Sequence, residues 1–241
     1  MAFHPIFPAL AVVGAGSLLA VAALSGRPAI GASWPAANAA PVAAPAIDSP
    51  RTTASGSETA ILSGGCFWGV QGVFEHVRGV RKVVAGYAGG AAATASYELV
   101  STGTTGHAES VRITFDPSQV SYGQILRIFF SVATDPTQVD RQYPDEGPQY
   151  RSEIFYSTPR QHQIAQAYVD QLNRSRAFSQ PIATRIDPAT GFYAAEGYHQ
   201  DFLARNPGNP YIAQFDMPKV EALAREFPAQ YAPAPITLAS R

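Results

Sequence analysis

Hydrophobic positions change rhythm several times between residues 59 and 227, and each change marks an element. Thr59 to Ser63 is a short apolar run ending in Gly64-Gly65, which predicts a strand entering a tight turn. Phe67, Val70, Phe74 and Val77 then recur at spacings of three and four, the stripe of a helix that Gly79 stops. Val80 to Tyr87 reads as a second strand, closed by Gly89-Gly90. From His107 to Phe115 the chain alternates, with Val111, Ile113 and Phe115 on one face and Arg112 and Thr114 on the other, a third strand ended by Asp116-Pro117. Ser121 with Gln124 forms a capping-box signature, and Ile125, Ile128, Phe129 and Val132 supply the stripe of a second helix. Tyr150 to Tyr156 is the fourth strand.

Strand, helix, strand, strand, helix, strand is the order of a split βαβ unit, so the expected fold class is α+β, a ferredoxin-like plait with helices packed on its mixed sheet. C-terminal extensions follow. Thr158-Pro159 with Gln161 starts a helix running to about Arg174, and further pieces are expected as a strand near Ile182–Ile186 and helices near Tyr198–Arg205 and Pro218–Phe227. No repeat of solenoid or propeller period is visible.

The first sixty residues read differently. Residues 1–27 hold an uncharged, Ala- and Leu-rich run before the first formal charge, Arg27, which suits a signal peptide or a short membrane anchor. Ala37-Asn38-Ala39 is a small-x-small cleavage candidate; the lack of a preceding Lys or Arg, and Arg27 itself, count against export. Residues 28–57 are rich in Ala and Pro and are expected to act as a semi-rigid linker, so the folded part begins near Glu58. A periplasmic protein, free or anchored in the inner membrane and facing the periplasm, is the expectation.

Charge and cysteine content narrow the chemistry. Seventeen Lys plus Arg against eighteen Asp plus Glu leave a net charge of −1, with no general field for a phosphate backbone, so nucleic acid is not an expected partner. The one cysteine, Cys66, excludes an intrachain disulfide, a CxxC redox pair and a multi-cysteine zinc site. It follows two glycines and opens a helix, where unpaired N–H groups favour a thiolate, the place of a nucleophile; a small buried hydrophobe is the alternative. Glu109 shares the apolar face of the third strand, so it either finds a cation or holds its proton with a raised pKa. His76, His107, His162 and His199 form no metal-ligand pattern and read as surface or packing residues.

Gly65-Cys66-Phe67-Trp68-Gly69 followed by Ala85-Gly86-Tyr87-Ala88-Gly89-Gly90 resembles the A-type peptide methionine sulfoxide reductases. Thr105-Gly106-His107-Ala108-Glu109, Gln149-Tyr150-Arg151-Ser152 and Ala195-Glu196-Gly197-Tyr198-His199-Gln200 keep the family's order and spacing. The resemblance covers residues 58–228, leaving residues 229–241 as a tail. It implies thiol-dependent reduction of methionine (S)-sulfoxide, free or in proteins, and repair of oxidative damage. Cys66 matches the nucleophile that ends as a sulfenic acid, and Glu109 the acid that protonates the departing oxygen. Tyr97 and Tyr150 match hydroxyls that bind the sulfoxide oxygen, and Asp145 a carboxylate that organises the polar network. Phe67 and Trp68, beside Gly65, match the aromatic pocket for the methyl group. No bound cofactor or metal is implied.

Two departures matter. Glu146 stands where many relatives carry His, and Ser101 and residues 91–96 also differ, which bears on substrate preference. Many relatives carry a second, recycling cysteine; here there is none, so the oxidised Cys66 is expected to need an external thiol: thioredoxin, glutathione with glutaredoxin, or a compartment-specific donor. A monomer is the expected state. Two rivals remain on sequence grounds, a non-catalytic binder of oxidised or methionine-rich segments and a cysteine hydrolase. The first would need neither Cys66 nor Glu109, and no motif locates a His base for the second.

Overall fold

A computed structural model describes residues 41–238; the leader, the first part of the linker and residues 239–241 lie outside them. In chain order the elements are β1 (Glu58–Gly64), α1 (Phe67–Glu75), β2 (Val80–Ala88), α2 (Tyr97–Val100), β3 (Ala108–Phe115) and α3 (Tyr122–Ile128). They continue with β4 (Arg141–Gln142), β5 (Asp145–Glu146), β6 (Ser152–Tyr156), α4 (Pro159–Arg174), β7 (Arg185–Pro188), β8 (Phe192–Ala194), α5 (Phe202–Arg205) and α6 (Met217–Glu226).

Alternation builds the sheet as expected. β1 lies between β3 and β6, antiparallel to both, with Leu62 opposite Val111 on one side and Ile154 on the other. The six strands run in the order β7-β6-β1-β3-β2-β8, and only β6 and β7 pair in parallel. The fold is therefore α+β. Ala60, Leu62, Val111, Ile113 and Phe115 share the main core with Phe67, Val70, Phe74 and Val77, so the apolar stripe of α1 covers one sheet face. The opposite face carries only a small cluster around Ile61, Phe155 and Phe192.

Local signals are satisfied where they were strongest. Ser121 accepts a hydrogen bond from the Gln124 backbone N–H while the Gln124 side chain accepts from the Ser121 N–H, closing the capping box of α3. Thr158 caps α4 by accepting from the Gln161 N–H at 3.1 Å, while the Gln161 side chain accepts from the Ser157 N–H instead.

Several expectations need correction. The second helix is regular only to Ile128 and finishes as a π-turn over Phe129–Ala133. The helix expected over Tyr198–Arg205 is reduced to Phe202–Arg205, because Asp201 takes a left-handed conformation (φ 53°) and the residues before it form turns. The strand near Ile182–Ile186 is displaced to Arg185–Pro188, and Tyr150 ends a 3-10 turn before its strand. The β4–β5 hairpin and β8, too short to show a period, were not foreseen.

Residues 41–57, expected as spacer, are bound to the domain. Arg127 donates to the Val42 carbonyl at 2.8 Å, Tyr168 donates to the Ala43 carbonyl at 2.6 Å, and Asp48 accepts from the Ser121 hydroxyl and from the Gly123 N–H. Pro and Ala leave the backbone extended, and its carbonyls, having no sheet to join, meet side chains of α3 and α4. The C-terminal tail is also held: Ala232 N–H donates to the His76 carbonyl, Ile236 N–H to the Glu75 carbonyl, and Tyr231 stacks on His76. Among the described residues no helix is long and apolar enough to cross a membrane.

Candidate active site

β1 ends in a turn that only glycine permits. Gly65 sits at φ 94°, and a Cβ there would lie 2.5 Å from Gln142 Cγ. The chain is thereby swung so that Cys66 takes the N-cap position of α1, 9% exposed. Glu109 enters from β3, where it pairs with Tyr87 of β2, and is 3% exposed on the core side of the sheet. Its Oε2 accepts a hydrogen bond from the Phe67 N–H at 3.0 Å, so the carboxyl group rests on the residue next to Cys66.

Burial raises the Glu109 carboxyl to about 8, with the charges of Asp145 and Asp216 adding to the rise and the Phe67 N–H opposing it. Of the two outcomes open on sequence grounds, the proton is kept: at neutral pH Glu109 is a carboxylic acid and a donor.

Cys66 corrects a sequence-based expectation. Burial pushes the thiol well above its ordinary value, the charges of Glu109, Asp216 and Asp145 push it further, and only a backbone hydrogen bond at Trp68 works the other way. A helix N-terminus favours an anion by about 1 kcal/mol, whereas desolvating an unpaired charge costs several. The resting side chain is a thiol.

Tyr97 starts α2, its backbone N–H donating to Glu196 Oε1 at 2.9 Å. Tyr150 closes the 3-10 turn Pro148–Tyr150. Burial, then the negative charge of Glu109, raises both phenols, with Cys66 a further contributor in each case, so both keep their protons as hydrogen-bond donors around the same point. Asp145, on β5, accepts from the Tyr211 hydroxyl; burial raises its carboxyl while Tyr211 and Lys219 oppose.

The residues that follow Cys66 are aromatic. Phe67 is buried, its ring centroid 5.9 Å from that of Tyr87 and 5.0 Å from that of His199. Trp68 is half-buried, stacked on Phe202 at 3.8 Å, edge-on to Tyr211 at 6.0 Å, and donates its indole N–H to His199 Nδ1 at 3.1 Å. The structure thus brings all eight expected residues, Gly65 through Trp68 with Tyr97, Glu109, Asp145 and Tyr150, around the start of α1.

Sequence reasoning missed five neighbours. His199 is 2% exposed and lies among the site's rings, so of the two roles expected for it the structure takes packing rather than surface. Glu196 binds the Tyr87 hydroxyl at 2.8 Å as well as the Tyr97 N–H. Tyr211 and Asp216 come from the stretch between the last two expected helices, for which no role was expected. Lys219 Nζ lies 3.1 Å from Asp216 Oδ1, and this buried pair presses against α1 where a Cβ at Gly69 would stand 2.1 Å from that oxygen. Glu196 and His199 lay inside a family-like motif and could have been drawn from it; Tyr211, Asp216 and Lys219 left no local signal. Among the described residues no group of His, Cys, Asp and Glu is arranged to hold a metal.

A buried acid, a thiol, two phenols and several aromatic rings gather at the start of α1. The family model described as peptide methionine sulfoxide reductase matches residues 58–231. Peptide methionine sulfoxide reductase MsrA 2 of Mesorhizobium japonicum is 58% identical over 187 residues, covering 78% of this chain and 96% of its own. The protein of the same description from Synechocystis is 56% identical over 185 residues, covering 77% and 85%. Among solved structures, methionine sulfoxide reductase A of Corynebacterium diphtheriae superposes with a TM-score of 0.58 at 34% identity, covering 64% of this chain and 77% of that one. Reduced Mxr1 from Saccharomyces cerevisiae gives 0.57 at 28% identity, covering 66% and 91%. The chain belongs to the A-type peptide methionine sulfoxide reductases, enzymes of protein repair.

Proposed function

We propose that the enzyme reduces methionine (S)-sulfoxide, free or in proteins, through a sulfenic acid on Cys66. The observation that carries this is the buried Glu109 carboxyl held on the Phe67 N–H beside the thiol, where burial raises it to about 8. Cys66 sulfur bonds to the sulfoxide sulfur as Glu109 gives its proton to the sulfoxide oxygen, and Tyr97 and Tyr150 donate to that oxygen as its charge grows. The sulfur–oxygen bond of the substrate and the new sulfur–sulfur bond then break as the oxygen passes to Cys66, and methionine leaves. The thiol proton returns Glu109 to its acid form, so one thiol and one sulfoxide become one sulfenic acid and one sulfide. Phe67 and Trp68 hold the methyl group, and aromatic rings beside hydrogen-bond donors distinguish the methyl end from the oxygen end and hence the epimer.

With a single cysteine in the chain, the sulfenic acid condenses with an external thiol, releasing water, and a second thiol frees Cys66 as a disulfide leaves. Thioredoxin, glutathione with glutaredoxin, or a compartment-specific donor supplies both thiols. The leader-like residues 1–27 favour a periplasmic setting or an inner-membrane anchor, with residues 58–228 as the catalytic domain of a monomer. The strand order β6-β1-β3-β2, antiparallel throughout, supports a ferredoxin-like plait at the centre of the sheet.

The test is turnover of methyl p-tolyl sulfoxide with dithiothreitol. Sulfide forms with the native enzyme and not with Cys66→Ser; sulfide formation that survives the substitution removes the nucleophile.

A further inference from the structure

Very little chain joins the two edges of the sheet. β7 and β8 stand at opposite ends of the strand order, about 24 Å apart were the sheet flat, yet Ala189–Gly191 alone separate Pro188 from Phe192, a reach of about 15 Å. The sheet therefore curls, and its face away from α1 becomes a trough of about 610 Å3, open to solvent.

Alternation along the strands decides what lines it. Thr59 and Ile61 of β1 stand opposite Thr114 and Arg112 of β3, and Lys82 and Val84 of β2 stand opposite the same two residues. Lys82 and Arg112 thus enter the trough from neighbouring strands, beside the hydroxyls of Thr59 and Thr114, and among the described residues no carboxylate lines it. The Arg112 guanidinium lies 4.8 Å over the Phe192 ring, a contact that uses its flat face and leaves its N–H edge for an acceptor. Among the described residues neither cation has an ion pair. Asp116, just beyond β3, is held by Arg81 at 2.8 Å and by the Ser118 hydroxyl at 2.7 Å. Residues 1–40 and 239–241 contain no Asp or Glu to neutralise them. The charge that complements this trough comes from another molecule, and an open trough suits a chain running through it.

We propose that the trough is a docking groove for an acidic segment of an oxidised protein substrate, held by Lys82 and Arg112 away from the reaction centre. The role rests on the reading that the enzyme accepts methionine sulfoxide in proteins. Cys66 lies about 17 Å beyond Ile61 along the line of β1 and serves the opposite face of a layer about 10 Å deep. A chain linking the two places needs about eight extended residues. Docking raises the effective concentration of the sulfoxide at Cys66 and leaves the chemical step untouched.

The experiment measures kcat/KM of the full chain, at low salt with dithiothreitol, on three peptides that each carry one methionine sulfoxide. The first joins it through a Gly-Ser spacer of about fifteen residues to a run of glutamates, the second replaces the glutamates by glutamines, and the third sets the glutamates about two residues away. Native enzyme favours the first peptide over the second by about threefold to tenfold and gains nothing from the third. The preference disappears in the double variant Lys82→Gln, Arg112→Gln, while methyl p-tolyl sulfoxide is reduced equally by both proteins. Lys82→Glu alone, which leaves Arg112 on Phe192, shows the same loss should the double variant melt early. A preference that survives in both variants, that ignores spacer length, or that is missing from the native enzyme overturns the groove. Native enzyme that reduces methyl p-tolyl sulfoxide but none of the peptides overturns instead the reading of proteins as substrates.

Discussion

The two sides of the reaction centre are held in place by different physics, although both hang on the three residues Cys66, Phe67 and Trp68. The polar side consists of acids withdrawn from solvent: buried Glu109 on β3, half-buried Asp145 on β5 and buried Asp216 at the end of a π-turn over Ile212–Asp216, each raised by burial. Its working state depends on what is kept away from it, namely water and compensating cations. Lys219 is the one cation that opposes the rise at Asp145 and Asp216, alongside the Tyr211 hydrogen bond at Asp145, and no cation does so at Glu109. The aromatic side, with Trp68 on Phe202 and Tyr211 and its N–H on His199, depends on contact. Phe67 joins the two: its N–H binds Glu109 while its ring meets His199. Loss on the polar side should therefore appear in the chemical step, and loss on the aromatic side in binding.

The largest separation is expected from Glu109→Gln. The amide keeps the shape and can still accept from the Phe67 N–H, but it cannot hand a proton to oxygen. kcat should fall by about a hundredfold to ten-thousandfold with KM little changed, measured by sulfide release under steady state. A loss confined to KM would erase the division. Trp68→Leu should show the opposite pattern, a rise in KM of about ten- to two-hundredfold, the range for one methyl group in an apolar pocket, with a smaller change in kcat.

Asp48→Ala touches neither side. It removes the acceptor for Ser121 and the Gly123 N–H at the start of α3, so it should cost about 1 kcal/mol and lower Tm by about 2–4 °C while kcat/KM is unchanged. A change in kcat/KM would mean that the segment over residues 41–57 reaches the site by a route the hydrogen bonds do not show.

What could be read from the sequence follows the range of the forces. Alternation over Val111, Ile113 and Phe115 placed Glu109 on the buried face, and the capping box at Ser121 and the N-cap at Thr158 appear as expected, because each depends on residues within a few positions. The bond between Asp145 and Tyr211 joins residues 66 positions apart, and the contact of Asp216 with Gly69 crosses a longer gap, so no local rhythm announces either. Cys66 shows the same division. Its helix-start position argued for a thiolate, and the distant acids and the burial they share reverse that sign. The Ala- and Pro-rich stretch before β1 misled for a related reason: composition reports that it cannot build its own core, not that it can lean on another.

The protonation of Glu109 carries the rest of the account, and infrared difference spectroscopy of native enzyme against Glu109→Gln reads it directly. A group raised to about 8 is protonated below that pH and ionised above it. The native enzyme should show a carboxylic C=O band at pH 7 that is absent from the variant and disappears as pH rises through about 8, in step with loss of kcat/KM on the alkaline side. A carboxylate signature for Glu109 at pH 7, with activity rising through the same interval, would contradict it.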